Sequence, residues 1–425
     1  MTALDVYLHR DRVGRLERGE GARLSFAYEP GWVENGRPLS LCLPVRVEPF
    51  SDAECRPFFA GLLPEGEFLR AVARALGVSA ENPFSVLEQI GGECAGAVSL
   101  VAPDVAPPFD RSPPPRWLDD GDLEQLLEEL PMRPLLIGAD GEDDVLRLSL
   151  AGARNKLPVL AEDARLGITR GRPPSSHIVK KPDLDLPELV ANEAYCLALA
   201  RESGLDAAQG TPIAAGEQEG LLVKRYDRET VSEEAGAVHR LHQEDFCQAS
   251  GLAPGQKYQG EGGPGAAECA ALLRAHAAAP GRDLLAFLDA LLFNLLIRNS
   301  DAHSKNYSLL LDGDGVPRLA PLYDLLSASV YGGSYGRKMA MKYGGEYRPR
   351  YIRGRHLDRL GSDLEISARI VRSRAMELSE RTLAARSDAR QGLPTAWQGA
   401  PLLDAIDTTL DEAATALRAA AVEPA

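Results

Sequence analysis

Short runs of alternating apolar and polar residues fill the first hundred positions and predict strands, with one helix among them. The strand-like runs cover residues 4–8, 22–28 and 39–44. Between Glu65 and Leu76 the apolar residues recur at a spacing that places them on one face of a helix: Phe68, Leu69, Val72, Ala73 and Leu76. The pattern therefore predicts a small unit that mixes helix and strand.

Proline interrupts this pattern, with residues at positions 103, 107, 108, 113, 114 and 115. Because proline lacks the backbone donor and fixes its own dihedral angle, such a density opposes both helix and sheet pairing. We therefore predict an N-terminal domain over residues 1–104 and a linker over residues 105–120.

Beyond the linker the periodicity predicts a strand-rich segment followed by a helical one. A short helix is expected at 122–130, strands at 145–150, 177–180 and 221–225, and an almost entirely apolar, hence buried, helix at 284–297. Residues 364–422 are alanine-rich and amphipathic, with Pro394 and Pro401 as breaks. We therefore divide the remainder into residues 121–230 and residues 231–425.

Composition narrows the class of protein. The chain has 425 residues, 44% of them hydrophobic and 26% charged, and a formal charge of −15. This balance is typical of a globular enzyme and disfavours a protein that mainly coats nucleic acid. The six cysteines form no CxxC pair, which disfavours a zinc site or disulfide framework. Without a signal-peptide pattern or a long apolar run, a cytoplasmic protein is expected.

The segment that carries most chemical information follows the buried helix and runs from Asn299 to Asn306, with the sequence NSDAHSKN. Asp301 and Asn306 have the D-x-x-x-x-N spacing of a protein-kinase catalytic loop, in which the aspartate orients the attacking hydroxyl and the asparagine holds Mg²⁺. Lys305 is placed to neutralise charge on the transferred phosphoryl group. A simpler alternative is a polar helix end capped by Asn299 and Asp301.

A predicted hairpin follows this loop, with strands at 307–311 and 316–319 around the sequence DGDG. Asp324 comes directly after it, where protein kinases place the Mg²⁺-binding aspartate of their DFG motif; here the triplet is Asp-Leu-Leu. Alone, Asp324 would also suit a helix N-cap. The DGDG turn lacks the acidic residue that closes a calcium-binding loop.

Kinases also need a strand lysine for the nucleotide phosphates and a helix glutamate that holds it. Lys180 ends the strand-like HIVK, and Glu193 shares a predicted helix face with Leu189 and Leu197. A carboxylate on an apolar face is costly without a cation, so Lys180 is its expected partner. Otherwise Glu193 lies at the solvent edge of the helix.

No G-x-G-x-x-G or Walker sequence is present, and the candidate phosphate-binding loop is SLAGARNK at 149–156. Its small residues would let backbone N–H groups approach phosphate oxygens, with charge added by Arg154 or Lys156. An ordinary turn between strands explains the same residues.

Taken together, these segments resemble the HipA family of bacterial toxin kinases. The resemblance rests on SLAGARNK, HIVK, NE at 192–193, LLVKRYDR at 221–228, LHQEDFCQASG at 241–251, KYQGEGGPG at 257–265, SDAHSKN at 300–306 and PLYDLLSAS at 321–329. FFAGLLPEGEFL at 58–69 looks like the small domain that precedes the kinase core. The family implies an α+β, bilobal kinase-like fold, with a β-rich N lobe and a helical C lobe.

The same resemblance implies roles for particular residues. Asp301 would be the catalytic base assisted by Lys305, Asn306 and Asp324 would hold Mg²⁺, and Lys180, held by Glu193, would contact ATP. The remaining nucleotide contacts would come from the loop Ala151, Gly152, Ala153, Arg154, Asn155 and Lys156 and from the hinge Lys224, Arg225 and Tyr226. Ser149 falls where the family carries an autophosphorylated serine. Expected partners are a helix-turn-helix, HipB-like antitoxin and a protein substrate such as an aminoacyl-tRNA synthetase, with DNA reached weakly or through the antitoxin, and no membrane.

The chain also departs from the family. Lys224 stands where an acidic hinge residue is usual, and Arg154-Asn155 replaces the commoner Gln-Glu. Eight basic residues lie between positions 337 and 359, against only Glu346 and Asp358. This basic run could contact DNA phosphate in an antitoxin complex or form a solvated loop that includes the activation segment.

Three other functions use the same residues. A small-molecule phosphotransferase would share the catalytic groups, and a catalytically silent co-repressor would act only through a DNA-binding antitoxin. A metal hydrolase using Asp301 and His303 would need further ligands that the spacing does not supply. The first two remain alternatives to a protein kinase.

Overall fold

The computed structural model describes residues 2–107, 109, 114–131, 135, 149, 151–152, 156–162, 165–169, 173–181, 186, 188–230, 238–311, 315–333 and 335–424. These residues form two compact units. The first comprises residues 1–181, 213–254 and 310–315, and the second comprises residues 182–212, 255–309 and 316–425. The domain boundaries expected at 104, 120 and 230 stay a prediction.

The first unit begins with an antiparallel sheet and four helices. Its sheet has the order β3-β2-β1-β4. The elements are β1 Thr2–Leu8, β2 Asp11–Arg18, β3 Leu24–Tyr28, α1 Pro30–Asn35, α2 Asp52–Gly61, α3 Gly66–Ala75, α4 Pro83–Ile90 and β4 Val98–Val101. Helix α3 turns Phe68, Val72 and Ala73 into the core, the face that its spacing predicts.

One predicted strand is wrong. Residues 39–44 form a turn in which only Ser40 and Leu43 pair, through an isolated bridge. The hydroxyl of Tyr28 explains why these residues form a turn and not a strand. It accepts from the Leu39 N–H at 2.8 Å and donates to the Leu43 carbonyl at 2.5 Å. The apolar residues Leu39 and Leu43 are still buried, but they pack from a loop.

A second sheet completes the first unit, in the order β5-β7-β6-β8-β10-β9. The bounds are β5 Arg116–Trp117, α5 Asp120–Glu129, β6 Lys156–Glu162, β7 Arg165–Ile168, β8 His177–Lys180, β9 Gly210–Ala215 and β10 Gln218–Lys224. Short elements follow it: β11 Arg228–Thr230, β12 Val238–Arg240, β13 His242–Asp245 and α7 Phe246–Ala249. Strand β8 has the bounds that the sequence predicts, whereas the strand expected at 145–150 lies outside the described residues, Ser149 excepted.

A buried ion-pair cluster joins the loop before β4 to the segment after β10. Glu93 accepts from Arg225 at 3.2 Å, from Arg228 at 3.0 Å and from the Ser175 hydroxyl at 2.6 Å. Asp227 pairs with both arginines, at 2.8 and 2.9 Å, and accepts from the Gly96 N–H at 2.7 Å. Burial opposes ionisation of Glu93 and Asp227, but the arginines outweigh it and lower the pKa of both carboxyls.

We expect Glu93→Gln to lower the stability of the full chain by about 3–5 kcal/mol, because it leaves buried guanidinium groups without their charge partner. A depressed carboxyl pKa adds stability that is present above the unfolded pKa near ~4 and is lost as pH falls. Below about pH 5, the stability of the variant should therefore depend less on pH than that of the wild type. Thermal unfolding measured across pH tests this.

The control is Glu29→Gln, which removes a surface pair with Arg12 at 2.8 Å and should cost at most about 1 kcal/mol. Equal losses of stability in the two variants would show that the buried Glu93 cluster contributes no more to stability than a surface ion pair.

The second unit is mostly helical. Its elements are α6 Leu189–Glu202, α8 Ala266–His276, α9 Pro280–Leu296, β14 Ser308–Leu311, β15 Pro317–Leu319, α10 Gly354–Leu364, α11 Ala368–Gln391, α12 Thr395–Gln398 and α13 Pro401–Val422. The last two residues of β14, Leu310 and Leu311, are counted with the first unit. Helix α9 is buried on all sides from Phe287 to Leu296, so its chain end is a fixed support for the loop that follows. None of the described helices is long and apolar enough to cross a membrane.

Candidate active site

The loop that follows α9 is organised by Asn299, which is buried. Its amide nitrogen donates to Asn294 Oδ1 at 2.9 Å and to the Asp324 carbonyl at 3.2 Å. Its amide oxygen accepts from the Asp301 N–H at 3.2 Å. One side chain therefore ties the two candidate acidic residues to helix α9. The sequence suggests Asn299 only as a cap, because no local pattern shows that its side chain bonds to the backbone of Asp324, 25 positions away.

Asp301 is held by a residue that the sequence does not single out. Tyr258 donates its hydroxyl to Asp301 Oδ1 at 2.5 Å, and its ring packs edge-to-face on His303 with centroids 5.0 Å apart. The neighbouring carbonyl of Lys257 accepts from the hydroxyl of Ser304 at 3.0 Å. The Asp301 side chain stays 45% exposed, so its carboxylate is both oriented and accessible to a substrate hydroxyl.

Asn306 and Lys305 complete this loop. The Asn306 amide nitrogen donates to the Asp301 carbonyl at 2.9 Å, which leaves its Oδ1 as the atom that would face a metal ion. Lys305 is buried, and its carbonyl accepts from the Tyr323 hydroxyl at 2.7 Å. The segment of Asp324 is thereby tied to the loop from both sides, through Tyr323 and Asn299.

Asp324 has a left-handed backbone, with φ of +51°. Residues other than glycine rarely adopt this conformation, and it recurs at functional sites where the surroundings enforce it. Asn192 on α6 provides part of that enforcement, because its amide accepts from the Ser327 N–H at 2.8 Å and donates to the Ser327 carbonyl at 3.0 Å. The buried Asn192 explains why the sequence NE accompanies PLYDLLSAS.

In the first unit, two lysines lie directly opposite each other on neighbouring antiparallel strands. Lys156 at the start of β6 pairs in register with Lys180 at the end of β8. Such pairs have Cβ atoms about 4.5–5.5 Å apart, and like charges there are unfavourable. A phosphate group bound beside them would be attracted by both ammonium groups. The arrangement therefore suits the phosphates of a nucleotide.

The described part of the candidate phosphate-binding loop is Ser149, Ala151, Gly152 and Lys156; Leu150, Ala153, Arg154 and Asn155 lie outside the described residues. Lys156 donates to the Ala151 carbonyl. Gly152 has φ of +123°, and a Cβ there would lie 2.3 Å from Lys156 Nζ. Glycine is therefore required at position 152 for the lysine to lie against the loop.

Ser149 is fully buried in this unit. Its N–H donates to the Glu93 carbonyl at 2.8 Å, and its hydroxyl donates to the Leu62 carbonyl at 2.7 Å. Beside it, the Glu65 N–H donates to the Gly152 carbonyl at 2.9 Å. Ser149 and Gly152 of the candidate phosphate-binding loop are thus hydrogen-bonded to two loops of the N-terminal region.

The expected hinge divides into exposed and buried parts. Lys224 is exposed at the end of β10, and burial together with Lys224 lowers the pKa of the paired His177 to about 4. The Arg225 side chain points into the buried ion-pair cluster, which leaves its backbone carbonyl for the predicted nucleotide contact. Tyr226 donates to Gln243 Oε1 at 2.6 Å.

The predicted Lys180–Glu193 pair stays a prediction, because its members belong to different units. Glu193 is buried on α6, which is the costly position that the sequence suggests. Among the described residues no cluster of three or more His, Cys, Asp or Glu side chains could hold a metal ion. The oxygens of Asp324 and Asn306 are nevertheless hard ligands that fit Mg²⁺, which is commonly bound by one or two side chains plus phosphate and water.

Phosphoryl transfer demands little covalent chemistry from a protein, which mainly positions the reactants and stabilises charge. In the second unit, an oriented carboxylate and two side chains with hard oxygen atoms lie on one braced loop system. In the first unit, two lysines lie opposite each other on a sheet. Each of these features is typical of a protein kinase.

The chain belongs to the HipA family. A family model described as the HipA-like C-terminal domain matches residues 148–386, and the HipA N-terminal domain matches residues 4–101. Y4mE of Sinorhizobium fredii, named as a candidate kinase, is 45% identical over 348 residues, which cover 80% of each chain. The serine/threonine-protein kinase toxin HipA of Shewanella oneidensis is 30% identical over 368 residues, covering 82% of this chain and 80% of that one.

A solved structure supports the same assignment. The chain is similar to HipA in the Shewanella oneidensis complex of HipA, HipB and operator DNA, with a TM-score of 0.81 and 27% identity. The match covers 98% of this chain and 96% of that chain. The expected family and the α+β kinase-like fold are therefore confirmed.

Proposed function

We propose that this protein is an ATP- and Mg²⁺-dependent Ser/Thr protein kinase that acts as the toxin of a toxin-antitoxin pair. The observation that carries the proposal is the pair of hydrogen bonds by which the buried Asn299 side chain holds the backbones of Asp301 and Asp324. Two acidic groups with separate tasks, one for the hydroxyl and one for the metal ion, must keep their separation through the reaction.

In this proposal Asp301 orients the substrate hydroxyl and takes its proton as the phosphoryl group is transferred. Asn306 and Asp324 would hold Mg²⁺, which when bound neutralises phosphate charge. Lys156 and Lys180 would bind the nucleotide phosphates, and Lys305 would stabilise the charge that develops on the transferred group. Glu193 would keep Lys180 aimed at the phosphates.

The partners are proposed from the family. A HipB-like helix-turn-helix antitoxin is the expected partner, because the similar Shewanella protein was solved with HipB and its operator DNA. DNA would then be reached through the antitoxin, since the chain's formal charge of −15 opposes direct binding of a polyanion. The proposed substrate is a component of translation such as an aminoacyl-tRNA synthetase, and the proposed location is the cytoplasm.

Phosphoproteomics after induced expression tests the proposal, with Asp301→Asn as the matched inactive control. We expect phosphoserine or phosphothreonine on a translation component only with the wild-type chain. Transfer to a small molecule but not to protein would favour a small-molecule phosphotransferase. Repression with an antitoxin but no transfer at all would favour the catalytically silent co-repressor.

A further inference from the structure

The basic run of the second unit carries its cations at exposed positions. All eight cations are exposed: Arg337, Lys338, Lys342, Arg348, Arg350, Arg353, Arg355 and Arg359. We call this set the cationic surface. Both acidic residues of the run are already paired, Glu346 with Arg348 at 2.9 Å and Asp358 with Arg372 at 2.7 Å. Among the cations, Arg353 also pairs with Glu423 at 4.0 Å. The segment therefore keeps a large positive excess on a chain whose formal charge is −15.

This surface is fastened to the catalytic loop. The Gly336 N–H donates to the Ser300 hydroxyl at 3.1 Å, directly before Asp301. The Lys342 N–H donates to Gln259 Oε1 at 2.7 Å, and Gln259 follows Tyr258, which holds Asp301. The end of the cationic surface that carries Arg337, Lys338 and Lys342 is therefore the part held next to the loop of Asp301.

The backbone of the segment is also well anchored. Tyr343 is buried and donates its hydroxyl to the Leu291 carbonyl of α9 at 2.7 Å. The Met339 N–H donates to the Tyr347 carbonyl at 2.8 Å. An anchored backbone removes the cost of ordering the main chain when a partner binds, so the remaining ordering cost is that of the side chains.

We propose that the cationic surface docks an acidic segment of the protein substrate. Six of its eight cations are arginines, whose planar guanidinium group binds carboxylates through two hydrogen bonds. The exposed aromatic residue Tyr351 is covered by Arg348 and Arg350, at 4.3 and 4.8 Å from its ring centroid, so its ring is engaged by cations instead of stacking on bases. A short acidic peptide also avoids the acidic remainder of the chain, which a long nucleic acid would meet. The inference deepens the proposed function by naming the substrate class.

Fluorescence anisotropy with a labelled oligoglutamate peptide tests this surface without requiring catalysis. We expect the full chain to bind this peptide more tightly than an oligoglutamine peptide of equal length, with binding that weakens as salt rises. The triple variant Arg337→Gln, Lys338→Gln, Lys342→Gln should raise the Kd for oligoglutamate about tenfold, a loss of ~1.4 kcal/mol.

A matched control separates local contacts from the overall field. Arg201→Gln, Arg369→Gln, Arg381→Gln removes the same charge from exposed positions elsewhere in this unit and should change the Kd by less than about twofold. No preference for oligoglutamate, or equal losses in the two triple variants, would overturn the inference. Tighter binding of a labelled random-sequence DNA duplex, lost in the first triple variant, would overturn it in favour of nucleic acid. Absence of any phosphoryl transfer would instead overturn the proposed function, so the two failures are distinguishable.

Discussion

Asp301→Asn is expected to lower phosphoryl transfer by at least about 10²–10³-fold while leaving the fold intact, because the amide cannot take the proton of the substrate hydroxyl. The substitution keeps the shape of the side chain, and the amide oxygen can still accept from Tyr258, which donates to Asp301 at 2.5 Å. Transfer of radiolabelled phosphate from ATP to protein measures the loss.

Asp324→Asn should abolish transfer for a different reason, the loss of a charged metal ligand. Asparagine tolerates the left-handed backbone of position 324, where φ is +51°, so the loop should keep its course. We therefore expect Asp324→Asn to weaken Mg·ATP binding more than Asp301→Asn does. Calorimetric titration with Mg·ATP separates the two, and thermal unfolding checks that both variants are folded. Wild-type transfer by either variant would contradict the kinase assignment.

Local sequence signals predict the elements that carry the catalytic groups. Strand β8 and helix α9 have strong apolar patterns, and the D-x-x-x-x-N spacing lies within one loop, so short-range information suffices to find them. The paired strands β14 and β15 are predicted for the same reason. These parts of the candidate site depend on neighbours in the chain more than on distant contacts.

Long-range partners explain what the sequence does not predict. Arg225 is expected in the hinge as a nucleotide contact, yet its side chain pairs with Glu93, a residue 132 positions away. Asn299 joins Asp324 across 25 positions, and Tyr258 joins Asp301 across 43. No periodicity records such pairings, and the same limit applies to the turn at 39–44, which Tyr28 stabilises.

Ser149 is expected to become phosphorylated when the protein is incubated with Mg·ATP, and the modified protein should bind ATP more weakly. Its hydroxyl donates to the Leu62 carbonyl. This hydrogen bond is the simpler, purely structural role that Ser149 could have. Because Ser149 is fully buried, its hydroxyl must become exposed before it can react. Reaction between molecules is the expected route, and its rate should rise with protein concentration.

Phosphorylation would then prevent the loop from returning. It adds about −1.5 to −2 charges, and the Leu62 carbonyl, which accepts from the unmodified hydroxyl, cannot pair with phosphate. The loop that carries Gly152 and Lys156 would remain displaced from the nucleotide phosphates, and activity would fall. Ser149→Ala should leave ATP binding possible and remove this brake, at a cost of about 1 kcal/mol for the lost hydrogen bond. Intact-mass spectrometry with site mapping decides the matter: active enzyme that gains no phosphate, or gains it elsewhere, has no brake at Ser149.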